Sequence, residues 1–334
     1  MQSVVIHALM PSIHHRLTGG SIYNRRILDW LAQSGEVELH VNALPERDEL
    51  PGGLWLVDSL CIAAGAPALA KRVDTTGVLI AHYLEILDSD RSHSARAAEE
   101  SSMLRHYSGV VTSSHFARNA LRDAGFKGTV EAILPGLDEA YRQPTVRSPD
   151  SPGSAIVTVA SLLPDKGLSE MLSALETLSD LNWSWELIGD ADLDTDFTRE
   201  FCTRIARSSV SDRIAFRGAL PPHEVIAAYD RADIFALPSR FETCSMATME
   251  AMARGLPVVA FRVGGLPDLL PEASLKGIAE AGDLATWRES LRRLIISPAE
   301  RHQLGEANRC AADRFQSWDE CGRAMRRFLE KFLS

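Results

Sequence analysis

Short β-branched and apolar runs alternate with stretches of helical periodicity along the chain. In the first part, residues 4–8, 37–42, 54–60, 77–81, 109–112 and 129–134 read as strands, and residues 21–32, 94–105 and 116–123 as helices. The alternation breaks at residues 143–153, where three prolines fall in eleven residues without periodicity, the pattern of an interdomain linker. It resumes with strands at 155–160, 184–188, 213–216, 234–237 and 257–261 and helices at 168–177, 197–208, 223–231, 246–253, 284–295 and 299–312. A last amphipathic helix is expected near 317–332. Strands that alternate with helices predict βαβ units and mostly parallel sheets. The expected fold class is α/β, with two Rossmann-like domains, 1–145 and 152–315, facing each other across a cleft. Ligands of such sheets bind beyond the carboxyl ends of the strands, so functional residues are sought just after each strand.

Composition narrows the function classes. The chain has 334 residues, 45% hydrophobic and 24% charged, as in an ordinary globular protein. Its net charge is −10, and the first 150 residues hold 14 Lys and Arg against 18 Asp and Glu. Neither half therefore offers a basic footprint for nucleic acid, and docking on anionic lipid is not indicated. No apolar run approaches the roughly 20 residues that span a bilayer, and the N-terminal stretch has no basic leader. Cys61, Cys202, Cys244, Cys310 and Cys321 are scattered without C-x-x-C spacing, which reads as reduced thiols of a cytoplasmic protein. No HExxH or aspartate-rich metal pattern occurs, so no metal ligands are assigned.

Residues 236–259 carry the most chemistry. A buried strand ends at Pro238, a polar loop from Ser239 to Ser245 follows, and a helix runs from Met246 to Ala253 before Gly255 stops it. Glu242 falls in the loop and Glu250 on the helix, with seven residues between them. Loop amides and the helix N-terminus at Ser245 and Met246 suit a diphosphate. A carboxylate on the helix can accept both vicinal hydroxyls of a ribose, and one in the loop can face a sugar. On spacing alone, a solvated helix acid and a loop cap account for the pair equally well.

The stretch resembles the signature of the family-4 retaining glycosyltransferases of GT-B fold. That signature is E-x-x-x-x-x-x-x-E, then A-M-A-x-G-x-P-V-V, then G-G-x-P-[DE]. Here it is met by Glu242, Glu250, residues 251–259 and residues 264–268. Residues 157–167, ending in Pro164-Asp165-Lys166-Gly167, are similar to the family's V-G-R-L-x-P-x-K-G turn. The resemblance implies that Glu250 binds the donor ribose, that Glu242 lies beside the transferred sugar and the diphosphate, and that Lys166 contacts the diphosphate. Gly189 and Gly218 match family loops near the nucleotide, although either also reads as a plain turn glycine. One departure stands out. Ala160-Ser161 replaces the family's Gly-Arg, whose arginine shares the diphosphate with the lysine, and Arg240 or Arg262 is a candidate substitute.

In the first domain, Gly19-Gly20 follows the first strand as a loop, with Ser21 as the expected cap of the next helix. This pair matches the family's Gly-Gly loop toward the donor. His82, at a strand exit, reads as a structural histidine or, by the resemblance, as a group directed at the donor sugar. Tyr83 and Glu85 are candidates for the acceptor side, as are His14 and His15 if their loop is not simply solvated. The resemblance further implies a last helix, 316–334, that crosses back to the first domain.

The implied activity is retaining, metal-independent hexosyl transfer without a cofactor. The partners are a nucleotide sugar, UDP ahead of GDP or ADP, and a small-molecule, lipid or glycan acceptor. A GT-B nucleotide-sugar epimerase and a non-catalytic nucleotide-sugar-binding protein are the alternatives, the latter motivated by Ser161.

Overall fold

The computed structural model describes residues 4–11, 16–35, 37–42, 52–71, 73–143 and 154–333. The chain divides into two compact units, Met1–Gly136 with Gln316–Ser334, and Leu137–Phe315. Each is built on a six-stranded parallel sheet with helices between the strands.

The first unit contains β1 (Val4–Leu9), β2 (Val37–Asn42), β3 (Gly53–Asp58), β4 (Thr75–Ala81), β5 (Gly109–Thr112) and β6 (Thr129–Ala132), in the order β2-β1-β3-β4-β5-β6. Its helices are α1 (Gly19–Gln33), α2 (Ile62–Ala70), α3 (Ala95–Leu104), α4 (His115–Asp123) and, from the far end of the sequence, α13 (Trp318–Glu330). Residues 54–58 and 77–81 are buried throughout, as expected of parallel strands covered on both faces. Ile6, Ala8, Leu54, Leu56, Val78 and Ile80 share one core with Ile27 and Leu31 of α1 and with Met325, Phe328 and Leu329 of α13. The buried stripe of α13 falls at 321, 325, 328 and 329, a helical spacing, and Ser317 with Glu320 closes a capping box before it. Trp30 Nε1 donates to Asp319 Oδ1 at 2.8 Å, tying α1 to α13.

Two local differences from expectation have clear causes. The strand expected over 54–60 ends at Asp58, whose side chain accepts the Leu60 amide at 2.6 Å and caps a 3-10 turn over Ser59–Cys61. The helix α2 has no sequence signal, because its residues are Ile, Ala, Gly, Leu and one Pro and show no polar face.

The second unit contains β7 (Ser154–Val159), β8 (Trp183–Ile188), β9 (Ile214–Phe216), β10 (Ile234–Leu237), β11 (Val258–Arg262) and β12 (Ala279–Glu280). The order is β12-β11-β10-β7-β8-β9, so the chain builds outward to β9, returns, and builds the other way from β10. The reversal lies between β7 and β10, the position where doubly wound sheets bind ligands. The helices are α5 (Glu139–Arg142), α6 (Leu168–Thr177), α7 (Thr195–Arg207), α8 (Pro222–Arg231), α9 (Met246–Ala253), α10 (Glu272–Leu275), α11 (Leu284–Ile296) and α12 (Pro298–Ala312). Val157, Phe235, Leu237 and Val258 pack with Tyr229 of α8 and Met249 and Met252 of α9. Ile156, Trp185, Ile234, Ala236 and Val259 pack with Met171 and Leu172 of α6 and Trp287 and Leu291 of α11. Residues 137–143 also belong here. Arg142 Nη1 donates to Ala312 O at 3.3 Å, and Arg254 Nη1 donates to Gln143 O at 2.5 Å. The rest of the expected linker, 144–153, lies outside the described residues. Among the described residues, no helix is long and apolar enough to cross a membrane.

Candidate active site

The residues after β7 and after β10 meet at the reversal of the second sheet. After β7 the chain makes a 3-10 turn over Pro164–Lys166 and enters α6 at Gly167. After β10 it runs through Ser239–Thr243 toward α9. Lys166 Nζ donates to Glu242 Oε1 at 2.7 Å, with the lysine side chain 25% and the glutamate 9% exposed. The Arg240 amide donates to Asp165 O at 2.8 Å, joining the two loops next to this pair. The next loop locks Glu242 from behind. The Gly265 amide donates to Glu242 O at 2.9 Å. Gly264 has φ +52°, and a Cβ there would stand 1.9 Å from Glu242 O. The Gly264-Gly265 part of the motif is thus explained by close backbone contact with Glu242.

The helix α9 begins at Met246 after Ser245. Ser245 makes no side-chain cap; its Oγ instead accepts from Thr248 Oγ1 at 2.9 Å. The Ser245 side chain therefore does not close the positive end of the α9 dipole. Glu250, one turn on, is held by Tyr229, whose hydroxyl donates to Glu250 Oε2 at 3.1 Å and to Ala247 O at 3.2 Å. Burial pushes the Glu250 carboxyl up to about 7, with Asp138 adding to the shift and the Tyr229 and Tyr141 hydroxyls opposing it. Gly189 and Gly218 lie after β8 and β9, joined by the Gly189 amide donating to Gly218 O at 2.9 Å. Lys166, Glu242, Ser245, Met246, Glu250, Gly189 and Gly218 all fall within the second unit, in the segments that follow its strands.

Of the two arginines considered as substitutes at Ser161, Arg262 is held elsewhere. Its Nε donates to Glu280 Oε1 at 2.9 Å and its Nη2 to Leu275 O at 3.0 Å. The Arg240 side chain is 65% exposed and pairs with Glu170 on α6.

In the first unit, Gly19 and Gly20 form the first turn of α1 rather than a loop. Thr18, not Ser21, is the cap, its hydroxyl accepting the Ser21 amide at 3.2 Å. The shift follows from Thr18, whose extended backbone and side-chain oxygen supply the cap one turn earlier. His82 leaves β4 and meets α1: its Nε2 lies 2.8 Å from Asn24 Oδ1. Asn24 Nδ2 donates to Asp58 Oδ2 at 2.5 Å. Burial lowers the His82 pKa, against the opposing effect of Asp58. Tyr83 OH accepts from Arg91 Nη1 at 3.0 Å, and Glu85 accepts from the Ser94 hydroxyl at 2.5 Å, next to the start of α3. His14 and His15 lie outside the described residues. Asn24, Asp58 and Tyr229 have no counterpart among the sequence expectations. Among the described residues, no group of three or more His, Cys, Asp or Glu is arranged to hold a metal ion.

Chemically, the second unit offers a lysine and the helix end at Ser245 to an anion, and the half-buried Glu250 carboxylate to paired hydroxyls. Residues 144–310, half of the chain, match the sequence model of the family described as glycosyl transferases group 1. The D-inositol 3-phosphate glycosyltransferase of Corynebacterium efficiens is 40% identical over 97 residues, 29% of this chain and 23% of that protein. The 2-deoxystreptamine glucosyltransferase of Streptomyces kanamyceticus is 25% identical over 314 residues, 88% of this chain and 79% of that protein. The matches to the first two curated relatives span only about a quarter of their length, 23% and 26%. Among solved structures, HepE of Anabaena in complex with UDP-glucose superposes with a TM-score of 0.80 at 17% identity, covering 98% of this chain and 99% of that one. Sucrose-phosphate synthase of Thermosynechococcus elongatus gives 0.79 at 17% identity, with the same coverage. The fold is that of the GT-B glycosyltransferases.

Proposed function

The chain belongs to the group 1 glycosyl transferases, and from that premise we propose that it is a family-4 enzyme that transfers a hexose from a nucleoside diphosphate sugar with retention and without a metal ion. One observation carries the reading. Lys166 and Glu242 stand 2.7 Å apart beyond the β7/β10 reversal, in the loops that lead to a helix whose N-cap residue, Ser245, makes no side-chain cap.

In this reading Lys166 and the first amides of α9 hold the diphosphate. They offset the negative charge that grows on the leaving oxygen as the anomeric C–O bond breaks. The acceptor hydroxyl attacks on the same face, and its proton passes to the departing phosphate oxygen. Glu242 keeps the lysine in place and faces the sugar; it is not a nucleophile. Glu250 accepts the two ribose hydroxyls, and Gly189 and Gly218 line the nucleotide. His82 serves the transferred sugar, Gly19 and Gly20 the donor, and Tyr83 and Glu85 the acceptor.

UDP is proposed ahead of GDP or ADP, a choice supported by the UDP-glucose bound to HepE. The acceptor is proposed to be a small, hydroxyl-rich molecule, in line with the inositol phosphate and 2-deoxystreptamine in the names of the relatives. All five cysteines are free, which supports a reducing, cytoplasmic setting.

A thermal-shift panel of UDP-, GDP- and ADP-glucose tests the reading. UDP-glucose is expected to raise Tm by mass action, and Glu250→Ala to abolish the rise. With an acceptor found, the product should keep the donor's anomeric configuration by NMR. A donor that isomerises in the absence of acceptor, or no response to any nucleotide sugar, would overturn the assignment.

A further inference from the structure

We propose that Asn24 and Asp58 are positioning residues for His82, fixing its ring proton on Nε2 and making Nδ1 the accepting nitrogen of the imidazole. The role in catalysis rests on the transfer reading above; the tautomer rests on geometry alone.

Asp58 ends β3, Asn24 sits in the second turn of α1, and His82 follows β4. Asn24 and Asp58 are 1% and 2% exposed. An ionised carboxylate can only accept hydrogen bonds, so the Asn24 amide must turn its NH2 toward Asp58 Oδ2, as it does at 2.5 Å. That leaves Oδ1 toward His82 Nε2 at 2.8 Å, and a carbonyl oxygen requires a donor there. The chain of bonds is therefore directional, from His82 through Asn24 to Asp58. Asp58 is itself pinned, since its Oδ1 accepts the Leu60 amide at 2.6 Å. The ring plane is fixed as well. A Cβ on Gly20 would come within 3.2 Å of His82 Cγ and Cδ2, so the helix backbone forms a floor against the ring. Tyr23 meets the ring edge-on, with centroids 5.2 Å apart, and its hydroxyl is anchored on Ile133 O at 2.9 Å. Burial lowers the histidine's proton affinity, so the ring works as a neutral imidazole whose two nitrogens have distinct roles.

The full chain labelled with 15N-histidine tests this at pH 8. A long-range proton–nitrogen correlation reports the tautomer, with the His82 signal assigned by its loss in His82→Gln. The wild type should show the Nε2–H form. In Asp58→Asn the amide of Asn24 is free to turn over, so the His82 signal should move to a mixture of tautomers. Asn24→Ala should do the same, and unchanged signals from the remaining histidines report an intact fold. Turnover of UDP-glucose, read as UDP release to water, should fall about tenfold in Asp58→Asn at an unchanged KM, the worth of one uncharged hydrogen bond made in the transition state. An Nδ1–H or charged ring in the wild type, or a tautomer unmoved by both variants, overturns the proposal. If the wild type neither binds nor turns over UDP-glucose, the transfer reading fails instead, and the tautomer readout still decides what Asn24 and Asp58 do to His82.

Discussion

Tyr229 and Glu250 are joined by a single hydrogen bond, 3.1 Å from hydroxyl to carboxylate oxygen, across the packing of α8 on α9. Burial raises the Glu250 carboxyl to about 7, so the group titrates near neutral pH. The ionised form presents both oxygens as charged acceptors to the two hydroxyls of a ribose, whereas protonation turns one oxygen into a donor. Affinity for UDP-glucose, which does not titrate in this range, should therefore be about tenfold weaker at pH 6 than at pH 8. Calorimetry on the wild type and Glu250→Gln checks this, and the variant should show weak binding without the pH trend. Tyr229→Phe removes a bond that favours the ionised acid, so its midpoint should move to higher pH.

The same group affects stability without ligand. Its folded pKa lies above the ordinary glutamate value of 4.5, so its contribution favours folding at low pH and is lost as pH rises from there to about 7. Glu250→Gln should accordingly melt higher than the wild type at pH 8, with the difference vanishing near pH 4. Equal melting at pH 8 would contradict the raised pKa of this acid.

The Lys166–Glu242 pair gives a sharper kinetic test. Lys166→Met should lower turnover of UDP-glucose by about a hundredfold or more, since it removes a cation placed where leaving-group charge develops. It also leaves Glu242 a buried acid without its partner lysine, so Tm should drop. Adding Glu242→Gln should restore much of the Tm but not the turnover. A double-mutant cycle that is additive in Tm would show that the two residues do not interact in solution.

Arg240 and Arg262 separate by position. Arg240 is exposed and its backbone joins the Asp165–Lys166 turn, whereas Arg262 is engaged by Glu280 and Leu275. Arg240→Ala is expected to raise KM for UDP-glucose severalfold, and Arg262→Ala to change it less than about twofold, with kcat and KM measured side by side.

Gly264→Ala is expected to cost well over 1 kcal/mol of stability and most activity, because a methyl group there would strike Glu242 O and the backbone is left-handed. Urea unfolding monitored by tryptophan fluorescence gives the first quantity and UDP release the second.

The second unit is the more legible of the two in sequence. Helices α6 and α9 occupy the residues that periodicity marks, 168–177 and 246–253. The residues of its site lie close behind strands, so spacing alone brings them near one another. In the first unit the relevant partners are scattered. Asn24 reaches Asp58 across 34 positions and His82 across 58, and nothing local in the sequence signals either bond. The early start of α1 depends on Thr18 rather than on the glycines, and α2 lacks the polar face that makes a helix visible as a period. Elements of two to four residues, such as α5, α10 and β12, are too short for any period.

The placement of α13 has a consequence for how the protein is made. Met325, Phe328 and Leu329 complete a core begun by Ile6 and Ala8, and the ribosome adds them only after all of residues 137–315. The half of the molecule synthesised first is thus finished last. Until α13 has been made, that nascent sheet exposes an oily face that awaits its covering helix, while residues 137–315 already have all of their own core.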